Sequence, residues 1–246
     1  PGLGLFTHGA PATWTLLAFI ALLALALLLL LRRKREVLDD FLPAFGSPGS
    51  GQMTVLTAAG FLLFAAGGLG MQEGFQGLGL WRANPAMYQL SIPGTQLLAG
   101  VRCGLADCGV LLLGRMAYRG ALNGAGCFLS AFPALAGLVW VFSAHLKHGT
   151  EPVLMKYGFG LFAALLLTLA HYCVAGFLYG KPRPRGTLFF ALTGGALGIT
   201  SLADGPDLFT AVATAAFSLS ALGFARALLA GPWPERMPPP EEEEQE

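Results

Sequence analysis

Apolar residues dominate seven stretches of the chain, each long enough to cross a bilayer core of roughly 30 Å at about 1.5 Å rise per residue. The plainest is the first. Trp14 to Leu31 carries no charge and no helix breaker, and Arg32, Arg33, Lys34 and Arg35 close it. The seven predicted spans cover about 12–31, 53–71, 92–114, 121–144, 157–179, 186–203 and 208–230. Cations follow the first run and do not precede it, so it reads as a true span and not as a secretory signal. The pattern predicts an all-α integral membrane protein, a seven-transmembrane-helix bundle over residues 1–230. Residues 231–246, with Pro238 to Pro240 and Glu241 to Glu244, are expected to form a disordered cytoplasmic tail.

The connections have patterns of their own. Val37, Leu38, Phe41, Leu42 and Phe45 recur at three- and four-residue spacing, which predicts a short helix in the inner interface, broken at Pro43. Gly46 to Gly51 reads as a flexible turn, without the Lys-Ser/Thr of a phosphate-binding loop. Gln72 to Ser91 reads as a long outer connection, with Trp81 and Tyr88 at headgroup level.

Charge then orients the bundle. Eleven of the fifteen cations (32–35, 115, 119, 181, 183, 185, 226 and 236) fall on one side of this map; Arg82, Lys147 and Lys156 fall on the other. Cations near span ends are held in the cytoplasm, so the N-terminus is expected outside and the C-terminus inside, in the cell membrane. Spans 1–3 and 5–7 then share a direction, compatible with a three-plus-one-plus-three arrangement like that of small carriers with parallel repeats. Composition agrees, with 54% hydrophobic residues and 12% charged, where a soluble domain carries about 25% charged. Cys103, Cys108, Cys127 and Cys173 fall in predicted spans and are expected to be inert small hydrophobes.

Chemistry is sparse. Ionisable groups at membrane depth cost about 2.5–3.5 kcal/mol on insertion scales and mark candidate sites, so Arg102 and Asp107 stand out. Gly100, Gly104, Asp107, Leu111 and Gly114 share one helix face, which puts Asp107 on a seam of small residues. Arg102 lies about 140° around the helix from it, so each needs a partner from elsewhere. His171 titrates near neutrality and is the third candidate. These three are the candidate substrate-binding residues. His145, His148 and Glu151 have metal-ligand spacing, but Gly149 and Pro152 end a helix there, so a wet loop is expected and no metal site. No catalytic motif appears, no cofactor is implied, and nothing suggests nucleic acid. The expected partners are the lipid bilayer and a protein at the cytoplasmic face or acidic tail. Two functions fit: a small-solute carrier or solute-binding bundle, or a non-catalytic membrane anchor or assembly subunit.

Overall fold

The computed structural model describes residues 11–33, 40–47, 50–148 and 154–230. Among these there are helices and turns but no strand. The helices are α1 (Pro11–Arg33), α2 (Phe41–Phe45), α3 (Ser50–Ala83), α4 (Ser91–Arg119) and α5 (Gly124–Leu129). They continue with α6 (Phe132–His148), α7 (Leu154–Gly176), α8 (Pro184–Ser201) and α9 (Leu208–Leu229). Six stretches are long and apolar enough to cross a membrane: α3, α4, Gly124–Lys147, Gly158–Gly176, Pro184–Asp204 and α9. That is the make-up of a multi-pass membrane protein. α1 covers the first predicted span, but its described apolar part, Ala18–Leu29, is shorter than the other six.

The long helices close into a ring in the order α3, α4, α6, α7, α8, α9, with α9 packed back on α3. Neighbours run antiparallel. Gly67 meets Gly100 while Gly114 meets Leu56, and Gln52 Nε2 donates to the Gly223 carbonyl at 2.9 Å while Gly70 meets Phe209. Side chains fill the middle. Trp140 stacks on Phe217 at 5.4 Å between ring centroids, and His171 meets Phe217 edge-on at 5.2 Å. α1 packs mainly on α8, whereas α7 packs on both α8 and α9, so the two triplets of a three-plus-one-plus-three layout are not packed alike.

Several elements differ from the sequence expectation. α3 runs on to Ala83, which leaves only residues 84–90 as the connection to α4 and puts Trp81 on the helix's last turn. The reason is the seam with α4. Gly70, Gly74 and Gly77 continue the small-residue stripe, and a Cβ at Gly74 would lie 2.9 Å from the Leu97 backbone nitrogen. Close backbone approach sustains the helix beyond what a bilayer requires.

The fourth predicted span is broken into α5 and α6 around Ser130 and Ala131. Pro133 cannot donate to the Leu129 carbonyl, as a continuous helix would require. The freed oxygen points at Gly109 of α4, where a Cβ would be 2.5 Å away.

The short helix α2 turns its apolar face onto the bundle. Phe41 and Phe45 are 2% and 1% exposed, and Phe45 packs on Phe177 at 4.9 Å and Phe224 at 5.5 Å. Pro43 sits in the first turn of α2, where its missing N–H has no helical partner to lose, so it does not break the helix. Val37, Leu38 and the 231–246 tail lie outside the described residues. Of the cysteines, Cys103 and Cys173 are buried, Cys127 is half-buried and Cys108 is exposed on α4.

Candidate functional site

The seam between α3 and α4 is built by glycine. A Cβ on Gly67 would meet the Gly100 carbonyl at 3.0 Å, and one on Gly100 would meet the Met71 nitrogen at 2.7 Å. Such backbone proximity leaves no room for side chains. Asp107 lies on this seam, as its spacing predicts: its Oδ1 and Leu111 Cδ2 are each 2.8 Å from where Gly60 would carry a Cβ. Gly104 differs from expectation. Its backbone borders Gly67, but its own Cβ direction opens into space with nothing within 4 Å.

Asp107 Oδ1 and Arg102 Nε are both buried without a hydrogen-bond partner. The two residues form no ion pair with each other, in keeping with their separation around α4. Among the described residues both ion pairs involve Lys147.

His171 belongs to a third place, the core between α7 and α9. It is 2% exposed, with Nδ1 2.8 Å from the Leu167 carbonyl and Nε2 2.8 Å from Ser220 Oγ. A carbonyl only accepts, so Nδ1 carries the proton; in the neutral ring Nε2 then accepts from the Ser220 hydroxyl, whose single proton it shares with the Ala216 and Phe217 carbonyls at 3.0 and 3.1 Å. Asp107 faces α3 and His171 faces α9, so the three candidates are not gathered into one site.

The structure instead gathers a set of residues that sequence reading left apart, at the end of the ring where α3 meets α9's N-terminus. Gln96 on α4 is the hub. Its Nε2 donates to Glu73 Oε2 at 3.0 Å, and its Oε1 accepts from Ser143 Oγ at 3.0 Å. Lys147 on α6 donates to Asp207 Oδ2 at 3.1 Å and lies 3.6 Å from Glu73 Oε2. Asp207 caps α9 by accepting from the Thr210 N–H at 2.9 Å and its hydroxyl at 3.0 Å. Burial raises the Asp207 carboxyl, but the Thr210 N–H, the Lys147 charge and the side-chain bonds from Lys147 and Thr210 outweigh it. Its pKa falls below the ordinary 3.8. The network ties four helices together.

Two signals for it were present in the sequence. Asp207 with Thr210 directly before an apolar run is an N-cap signature. Glu73 is followed by Gly74 and Gly77 in the same stripe as Gly67 and Gly70, which extends the helix through it. The partners Gln96 and Ser143 left no such trace, because they are single polar residues within apolar runs. His145 is exposed, and the side chains of His148 and Glu151 lie outside the described residues. Among the described residues no three metal-ligating side chains cluster.

Searches of protein families, curated proteins and solved structures give no match to this chain.

Proposed function

We propose that the chain is a non-catalytic membrane subunit, an anchor or assembly element of a larger complex. In this reading α1 is a seventh span, the N-terminus is outside and the C-terminus is in the cytoplasm of the cell. The observation that carries it is the filled centre of the ring. A carrier presents a solute site near mid-membrane to each side in turn. At that level this ring holds Trp140 stacked on Phe217 and a His171 with both ring nitrogens engaged.

Large apolar side chains point outward instead; Phe61, Phe64 and Phe75 on α3 are 68%, 66% and 65% exposed. Such faces suit lipid and the helices of other membrane proteins. The orientation rests on charge at the helix ends. Arg115, Arg119, Lys181, Arg183, Arg185 and Arg226 lie at one end of the ring, against Arg82 and Lys147 at the other.

Extraction of the full chain from its native membranes in mild detergent tests this reading by size. A subunit migrates in an assembly well above its own 25.7 kDa with partners in fixed ratio. A lone chain that also drives solute uptake in vesicles would contradict it. That outcome would support a carrier, the reading favoured by the unpartnered Arg102 Nε, Asp107 Oδ1 and Trp140 Nε1.

A further inference from the structure

At the cation-rich end of the ring, α4 finishes in Arg115 and Arg119, four residues apart and so on one helix face. Gly120 follows with φ 66°, a left-handed reversal that folds residues 121–124 back beside the last turn. Between helix and reversal lies a pocket of about 440 Å³ lined by Leu112, Arg115, Met116, Arg119, Leu122 and Asn123. Neither arginine pairs with a carboxylate among the described residues, where both ion pairs lie at the opposite end.

The pocket is two-natured. Its polar lining is Arg115, Arg119 and Asn123, and each arginine carries a fork of N–H donors matched to phosphate oxygens. Its other part is apolar: Leu122 is 57% exposed, and Leu112 and Met116 lie one turn or less from Arg115. It stands at the C-terminal end of the candidate span Ser91–Arg119, where a cation at a span end meets the headgroups. A free phosphate would use only the arginines and leave the apolar wall wet. Basic pockets between membrane helices at the cytoplasmic side are suited to anionic lipid headgroups. We infer that this pocket holds an anionic phospholipid, its phosphate on Arg115 and Arg119 and an acyl chain along Leu112 and Leu122.

The inference stands independently of the subunit reading, since a carrier would bind such a lipid equally well. The test uses the full chain in mixed micelles of phosphatidylglycerol and phosphatidylcholine, with retained lipid counted by native mass spectrometry. The wild type should retain phosphatidylglycerol at least fivefold over phosphatidylcholine. R115Q/R119Q should lose that preference, and R119Q alone should lose part of it. K181Q/R183Q removes the same charge from the same end and should keep the preference. Equal loss in both double variants would mean diffuse attraction to a positive surface and would overturn the pocket. So would retention of the preference in R115Q/R119Q, or displacement of the lipid by millimolar glycerol phosphate. Melting curves run alongside keep a folding defect from passing as lost binding. Were the double variant unfolded, R119Q alone decides the matter by the same preference.

Discussion

A single methyl group at Gly100 should force α3 and α4 apart. Its Cβ would lie 2.7 Å from the Met71 nitrogen, 2.9 Å from the Gly67 carbonyl oxygen and 3.0 Å from the Gly70 carbonyl carbon. All three are backbone atoms, so no side chain can swing away. To restore 3.4 Å, where ordinary contact begins, the helices must part by about 0.7 Å at this level. A gap of that size forfeits a quarter to a half of the dispersion energy of each contact it opens. Overpacking of this kind costs about 1–3 kcal/mol, and the rigid neighbours place G100A toward the upper end. G104A is the matched control. Its Cβ meets nothing within 4 Å, and alanine is the better helix former, so it should be neutral or slightly stabilising. Reversible unfolding of both variants in bicelles measures the difference. If G104A proves as damaging as G100A, or G100A matches wild type, the seam is not where the structure puts it.

Two further outcomes follow from the polar contacts. Ser220→Ala strands His171 Nε2 in the core and should cost about 1–3 kcal/mol by the same unfolding assay; wild-type stability would mean the ring nitrogen finds another partner. Asp207 has a lowered pKa, so its contribution is full above the unfolded value of 3.8 and is lost as pH falls through the lower folded value. Melting temperature should therefore hold down to about pH 4 and drop below it. Lys147→Met should flatten that drop while costing about 0.2–1 kcal/mol per ion pair at pH 6, because all three groups are about a third exposed. An acid profile unchanged by Lys147→Met would remove the lysine from the network.

The helical class and most span positions were legible because apolar runs and flanking cations are local properties of sequence. The face carrying Gly100, Asp107 and Leu111 was legible too, since helical spacing alone determines which residues share a side. Contacts between helices were not. That Gln96 would bridge Glu73 and Ser143 depends on the ring order, which no periodicity encodes. The length of α3 is hidden for a related reason: bilayer thickness sets the minimum length of a span, while the glycine seam with α4 carries this helix on to Ala83. Gly124–Lys147 remains one candidate span, as its apolar run implies, but the break within it at Ser130 and Ala131 follows from Pro133, a single residue inside that run. The amphipathic spacing of Phe41 and Phe45 shows that they share a face, while the partners of Phe45, Phe177 and Phe224, come from the fold.

The central claim is that side chains, and not water, fill the ring. Cys103 reports on this directly, being fully buried within the main core cluster. A chain with the other three cysteines replaced by alanine, held in lipid nanodiscs, would be exposed to a charged, membrane-impermeant thiol reagent. The account predicts no labelling of Cys103 until the protein is unfolded. Rapid labelling of the folded protein would reveal a water-filled path to the core and contradict the account.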